Sequence, residues 1–326
     1  MLKFDKLKLI TSVNYISYIN LTKFNTIIKD GVVTAYQYQQ TSPYLLYIEK
    51  DIVDNELVIE ITGKVLGAKY PLLISKDTIR DGFDNINALG ICTLDTDKIL
   101  TDAKVTKVDV TCDVDYSDMS ALTRELQSCV KNNKRYAAES INGNFVIAKT
   151  VKTRNRKVRL TIYDKHREMQ LVDNQRWLET FGNDIAESVN QYFKGKIRFE
   201  LNLNSINAIK KGLSVADTSL LSVLNAEATP IMNFLDMVLV DNAEARVAKS
   251  VRDLERLALM ARYNYDMKAI EQAITALKSP KTNLSQAMRP YHLLYNASHQ
   301  TGSMSIKDRL RDLLLEIFLI GFIVSI

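Results

Sequence analysis

The chain has 326 residues, of which 46% are hydrophobic and 25% are charged, and its formal net charge is +5. The length predicts roughly two domains of about 150 residues, and a core of this size needs no disulfide or metal to fold. Three cysteines without CxxC or other metal-like spacing indicate reduced thiols in a cytosolic protein and argue against a disulfide or zinc site.

Neither end of the sequence predicts a signal peptide or a membrane-spanning helix. The first residues, MLKFDKLKLITSV, have scattered charges and no continuous apolar segment, so we expect no signal peptide. The segment Leu313–Ile326 is strongly apolar but contains Glu316. As a helix it would span about 21 Å, against roughly 30 Å of membrane hydrocarbon. We therefore expect a buried or partner-docking helix and no membrane association.

Strand signals dominate the first two-thirds of the chain, because β-branched and aromatic residues alternate with polar ones. The predicted strands are residues 14–20, 32–40, 43–50, 56–64, 104–115, 144–150, 157–165 and 196–204.

Helical spacing appears twice within this region, at residues 117–133 and 173–193, and again at 248–279 and 305–322. The connections between strands look too short for repeated parallel crossovers. The sequence therefore predicts an α+β fold, an antiparallel sheet with flanking helices. We place a catalytic domain at residues 1–205 and a mainly helical C-terminal domain at residues 206–326.

Alternate residues of a strand face opposite sides of a sheet, and four predicted strands are polar on one side. In residues 158–165 the polar side carries Tyr163 and Lys165, and three other strands each place at least one acid on theirs, the strand at 104–115 more than one. Those acids are Glu60, Asp109, Asp113 and Glu200. A half-exposed structural sheet is the general explanation for such alternation.

Two chemical features favour a functional face. Carboxylates on one face repel one another unless a divalent cation lies between them. A tyrosine beside a lysine suits attack on phosphorus, because an ammonium group favours the phenolate.

Positive charge is concentrated around the same strand. Eight Lys and Arg residues and one acid lie between residues 149 and 167. A nearly uniform positive run attracts polyanions, since neutralising phosphates releases counterions. The predicted DNA-binding residues are Lys149, Lys152, Arg154, Arg156, Lys157, Arg159, Arg167 and, on the strand at 196–204, Arg198.

Three segments in order, TKVDVTCDVD, VRLTIYDKHRE and IRFELNLNS, resemble motifs of rolling-circle replication initiators. The similarity is to gene II-like phage replication proteins and to initiators of Gram-positive rolling-circle plasmids, and it covers roughly residues 55–205. The matching positions are Asp109 and Asp113, then Tyr163, Lys165 and Glu168, then Arg198 and Glu200, with Glu60 in an earlier acidic strand.

The resemblance implies a divergent relative of the two-histidine nuclease fold that works in the cytoplasm of a bacterial host. It implies that Tyr163 attacks a phosphodiester and becomes linked to the 5′ phosphate, with Mg²⁺ or Mn²⁺ as cofactor. The expected partner is DNA, single-stranded or as an origin hairpin. A host helicase, other replication proteins and a second copy of the chain are further candidates.

Histidine cannot provide the metal site of such an enzyme, because the three histidines include no His-hydrophobic-His pair. We therefore predict Asp109, Glu60 and Glu200 as ligands, with Asp113 a weaker candidate because four residues span about 13 Å along a strand. Two other hypotheses remain open: a non-catalytic DNA-binding protein of a phage or mobile element, and a conjugative relaxase.

Overall fold

A computed structural model describes residues 1–41, 46–116, 118–130, 135–150, 157–239, 248, 250–277, 283–300 and 309–315. Its architecture is α+β, as predicted. The strands of the described residues are β1 Phe4–Ser12, β2 Ile16–Ile19, β3 Asn25–Lys29, β4 Val32–Gln40, β5 Leu46–Asp51, β6 Glu56–Thr62, β7 Cys92–Leu94, β8 Lys104–Asp115, β9 Tyr136–Ile141, β10 Asn144–Lys149, β11 Val158–Asp164 and β12 Lys196–Leu203.

The helices include two 3-10 segments, Val13–Tyr15 and Gly63–Leu72. The α-helices are α1 Ile79–Ala88, α2 Thr96–Asp102, α3 Met119–Val130, α4 Lys165–Met169, α5 Val172–Glu179, α6 Asn183–Phe193, α7 Ile206–Leu213, α8 Leu220–Leu224, α9 Pro230–Val238, α10 Val251–Arg262, α11 Met267–Leu277 and α12 Leu284–Gln300. Residues 309–315 are also helical, whereas 316–326 of the apolar tail lie outside the described part.

Ten strands form one antiparallel sheet in the order β3-β4-β5-β6-β1-β8-β12-β11-β10-β9, and β2 and β7 form a separate pair. The large sheet has two halves with the same connectivity. In one half, β3 to β6 are neighbours in sequence order, and β6 pairs with β1. In the other half, β9 to β12 are neighbours in sequence order, and β12 pairs with β8. Pairing of β1 with β8 joins the halves.

One face of the large sheet is apolar and covered, as the alternation predicts. Leu7 and Leu9 of β1 pair with Ile61 and Ile59 of β6, and all four are fully buried. Helix α2 packs against β1, α7 and α8 pack against β8, and α9 packs against β12. Burial of this apolar surface is the main stabilising contribution to the sheet.

The opposite face is polar and only partly covered. The 3-10 segment Gly63–Leu72 packs against α6, and α4 packs against β11 and β12. These elements enclose a small core that includes Tyr70, Met169, Trp177 and Phe193. The polar side chains at this end of the sheet are therefore shielded from solvent.

The chain divides into two compact units. One comprises residues 1–238 and 312–326, and the other comprises residues 239–311. The second unit contains α10 to α12, packed around Leu257, Met260 and Ile270. The region after Ser205 is helical, as predicted, but the first three of its helices contact the sheet and belong to the first unit. No helix within the described ranges is long and apolar enough to cross a membrane.

Candidate active site

Tyr163 lies at the end of β11 and faces the polar side of the sheet. Its side chain is mostly buried, and its hydroxyl donates a hydrogen bond to Oε2 of Glu200 at 3.1 Å. Burial, and then the Glu200 carboxylate, raises the pKa of Tyr163 well above its ordinary value, with Arg198 opposing the shift. The tyrosine is therefore a neutral phenol with a carboxylate in place to accept its proton.

We predicted that Lys165 lies in the strand, whereas in the structure it is the first residue of α4. Asp164 caps this helix by accepting a hydrogen bond from the backbone N–H of Arg167. The Lys165 ammonium is 5.8 Å from the centroid of the Tyr163 ring and 2.5 Å from Oε2 of Glu168. Burial and then Arg198 lower its pKa. The structure thus brings Lys165 to Tyr163, but the tyrosine pKa is raised and not lowered.

Arg198 occupies the centre of the enclosed region and has no exposed surface. Its Nε and Nη2 donate to the two oxygens of Asp113 at 2.6 and 2.8 Å. Its Nη1 donates to Oδ1 of Asp5 at 3.1 Å and to the hydroxyl of Tyr70 at 3.0 Å. A bidentate pair of this kind is strong and geometrically specific.

This burial bears on two predictions. Arg198 was predicted to contact DNA, but a phosphate cannot reach a guanidinium group that is enclosed by protein. Asp113 was the weaker metal candidate, and both of its oxygens accept hydrogen bonds from Arg198.

Asp109 and Glu200 lie close together on β8 and β12. Burial, and then the charge of Glu200, raises the pKa of Asp109 to about 7, while a hydrogen bond with Asn202 opposes the shift. Asn202 stands opposite Asp109 and donates from Nδ2 to Oε1 of Glu200 at 2.9 Å. The two carboxylates therefore form a partly buried pair in which the charge of Glu200 disfavours ionisation of Asp109.

Glu60 is placed differently from the other predicted acids. It forms ion pairs with Lys6 and, at 3.8 Å, with Lys8. Strand β1 separates its strand from that of Asp109, which puts the two backbones about 10 Å apart. Among the described residues no three His, Cys, Asp or Glu side chains are arranged to hold a metal ion.

Asp5 was missed by the sequence analysis and is a central member of the site. The register between β1 and β8 shifts between Phe4 and Lys6, so two residues of β1 oppose one of β8. Such a bulge re-aims a side chain, and here Asp5 reaches Arg198. The alternation Lys6-Leu7-Lys8-Leu9 was the available strand signal, which we had interpreted only as scattered charge.

A hydrogen-bonded chain on the covering helices was also missed. The ammonium of Lys64 contacts Oδ1 of Asn174 at 2.5 Å, and Nδ2 of Asn174 donates to Oε1 of Glu168 at 2.8 Å. Since Glu168 pairs with Lys165, this chain links the covering helices to the tyrosine. The sequence gives no sign of it, because its members come from three separate segments.

The predicted basic residues are only partly described, since Lys152, Arg154 and Arg156 lie outside the described ranges. Lys157 is exposed, and Lys149 lies over the ring of Tyr136. Nε of Arg159 donates to Oδ1 of Asn202 at 2.8 Å, which joins it to the carboxylate pair. Arg167 is exposed on α4.

Comparison with known proteins gives one assignment. A search of curated proteins finds no match for the chain. Residues 78–220 match the family model that describes the N-terminal region of a phage replication-associated protein of the gene II type. This segment contains β8, β11 and β12, and with them Asp109, Tyr163 and Glu200. Over these residues, the match confirms the resemblance to phage replication initiation proteins that the motifs indicated.

Proposed function

We propose that the chain initiates rolling-circle replication by nicking and rejoining one DNA strand through Tyr163. The hydrogen bond from Tyr163 to Glu200, inside the segment that matches the phage replication family, carries this proposal. A nucleophile needs an adjacent base to be activated at neutral pH. Glu200 is within hydrogen-bonding distance of the proton that must leave.

The Tyr163 oxygen attacks the scissile phosphorus while its proton passes to Glu200. The bond between phosphorus and the 3′ oxygen breaks, and that oxygen takes a proton from solvent to become the 3′ hydroxyl that primes synthesis. The 5′ phosphate stays esterified to Tyr163, so the bond energy is conserved and the reverse attack reseals the strand without a nucleotide cofactor.

We further propose that Asp109 and Glu200 hold Mg²⁺ or Mn²⁺ together with the scissile phosphate. Mg²⁺ is commonly held by one or two carboxylates, substrate phosphates and water, so two acids are a sufficient protein contribution. Thr161 stands opposite Glu200, and its buried hydroxyl has no hydrogen-bond partner among the described residues. A bound divalent ion would offset the negative charge that builds on the phosphate.

Replacing Tyr163 by Phe tests the proposal. The full chain is incubated with Mg²⁺ or Mn²⁺ and single-stranded DNA from its own element, and protein–DNA adducts are separated under denaturing conditions. Tyr163→Phe should abolish the adduct and preserve DNA binding, because only the hydroxyl is removed. Tyr192→Phe, in the same matched segment, should behave as wild type.

Two outcomes would overturn the assignment. A Tyr163→Phe protein that forms the adduct at full rate would show that another residue attacks. A wild-type protein that binds its DNA but never forms an adduct would favour the alternative of a non-catalytic DNA-binding protein.

A further inference from the structure

Grooves of about 340 to 540 Å³ occur on the described part of the first unit, and one of them differs from two others in charge. It lies between α3, the β9–β10 turn and the start of α4, and has a volume of about 530 Å³. We call it the α3 groove. Its polar lining comes from Ser120, Thr123, Arg124, Gln127, Ser140, Asp164 and Arg167.

We propose that the α3 groove binds the sugar-phosphate backbone of the DNA strand that Tyr163 cuts. The inference rests on the proposed function and extends it by giving the strand a path. Tyr163 is followed by Asp164, which ends β11 and lines the groove, and α4 continues directly to Arg167. Phe145 of the groove pairs with Ser140 and with Ile162, so the groove lies on the face of the sheet opposite to the Tyr163 side chain. A strand bound there reaches Tyr163 round the end of β11.

The charges in the groove favour a polyanion. Arg124 and Arg167 are both exposed, and Arg124 has no ion-pair partner among the described residues. One guanidinium nitrogen of Arg167 donates to the backbone oxygen of Asn142 at 3.4 Å, which leaves its other donors available. The single acid, Asp164, already accepts the N-terminal N–H of α4. Guanidinium groups bind phosphate through paired donors.

A second groove has a lining that does not suit a phosphate backbone. The groove of about 340 Å³ beside α1 carries Asp81 and Asp84 against Lys69, and Lys69 is already paired with Asp81 at 2.7 Å. Its net charge would repel a phosphate backbone. Shape alone therefore does not select the α3 groove, whereas the excess of guanidinium groups over carboxylates does.

The hydroxyl and amide groups of the α3 groove add sequence-independent donors. Ser120 and Thr123 lie on the same side of α3 as Arg124, and Ser140 faces them from β9. Contacts of this type to phosphate and sugar position a strand without reading its bases. We therefore expect the groove to contribute affinity and register, and origin specificity to come from elsewhere.

Binding measurements in the Tyr163→Phe background test the groove without any cleavage. Anisotropy of a labelled single-stranded oligonucleotide is followed at several salt concentrations. Arg124→Ala should weaken binding about 3- to 10-fold for all sequences and reduce the salt slope by about 0.7, the effect of one lost phosphate contact on a single strand. Arg124→Ala with Arg167→Ala should weaken binding further.

The control is Arg80→Ala, which removes an exposed arginine of α1 outside the groove. Unchanged affinity and salt slope in Arg124→Ala would overturn the proposal, as would an equal loss in Arg80→Ala, since the effect would then be one of total charge. Failure of Tyr163 to form an adduct would instead contradict the proposed function, because this assay does not depend on cleavage.

Discussion

Glu200 contacts Tyr163, the proposed nucleophile, with one carboxylate oxygen and Asn202 with the other. Oε2 accepts the hydrogen bond of Tyr163, and Oε1 accepts that of Asn202. The fixed orientation of this carboxylate makes it a positioned proton acceptor for a phenol whose pKa is raised. Proton transfer to a positioned group is typically worth about 10² to 10⁴ in rate.

Glu200→Gln should therefore slow adduct formation by about 100-fold or more. The amide keeps the size of the side chain and can still accept a hydrogen bond, so the loss reports on the missing carboxylate, both as base for Tyr163 and as ligand of the divalent ion. Glu187→Gln, at an exposed position of α6, should keep the wild-type rate. Single-turnover kinetics measure both, and a full rate in Glu200→Gln would assign the proton to another group.

Part of the site could be predicted residue by residue and part could not. Tyr163, Asp109 and Glu200 could be singled out because they occupy motif positions on the polar sides of their strands. Asp5 did not, because its orientation depends on a bulge that alternation cannot reveal. Strand alternation predicts only that Arg198 points to the polar face of the sheet. Whether its side chain meets DNA or protein there depends on which helices cover β12.

At the scale of elements, Arg198 joins three strands. It extends from β12, pairs with Asp113 on β8 and reaches Asp5 on β1. The Asp113 side chain is 3% exposed, so removing its partner leaves a buried charge without compensation. Breaking such a buried pair costs about 3 to 5 kcal/mol.

Arg198→Met should lower the free energy of unfolding by about 3 to 5 kcal/mol in urea titrations. Adding Asp113→Leu should restore part of the loss, because no unpaired charge then remains. Lys196→Met, which removes an ion pair to the exposed Asp115 on the same two strands, should cost about 1 kcal/mol or less. Equal losses in the two single variants would contradict the central role of Arg198.

Most strands with strong alternation were predicted, whereas β1 was missed although its residues alternate. The other misses have local causes. β3 and β9 are edge strands, where one-sided burial weakens the pattern. The helix predicted at 173–193 is two helices, because Gly182 adopts φ of 85° between them. The helix predicted at 248–279 is also two, with Asn264 and Tyr265 at positive φ in the break. Periodicity shows which residues face a core, but it does not show where a helix is interrupted.

At the scale of the whole molecule, the fold class followed from the pattern, whereas the size of the sheet did not. An antiparallel sheet with helices and a helical C-terminal region was expected and is present. The predicted boundary near Ser205 differs from the division at Val238, because the apolar sheet face needs α7 to α9 as cover. Local signals mark where strands end, but the number of helices needed to cover a sheet is a property of the assembled fold.

Stability of the whole chain should depend on pH through Asp109. Its pKa is about 7 in the folded protein and about 3.9 when unfolded, so the folded state binds more protons between these values. This contribution to stability is complete below about pH 4 and is lost as pH rises to about 7. Asp109→Asn should therefore flatten the decline and be more stable than wild type at pH 8 without divalent ions.

Thermal unfolding in EDTA at pH 5, 6, 7 and 8 measures this effect. Asp173→Asn, which changes a side chain that is 94% exposed, should follow the wild-type curve. The prediction is wrong if Asp109→Asn loses as much stability as wild type between pH 5 and pH 8.

The contact between Asp5 and Arg198 spans 193 positions of the chain and has a consequence for synthesis on the ribosome. β1 is made first, but its partner β8 comes about 100 residues later and β12 closes the centre only after that. Contacts between residues so far apart in sequence form late, because the entropy of closing the loop is lost before the contacts contribute favourable energy. Until β12 has emerged, Glu200 is absent and Tyr163 has no base. Under the function that we propose, a nascent chain would therefore not cut DNA, and strand scission would begin only when translation has passed the last strand of the sheet.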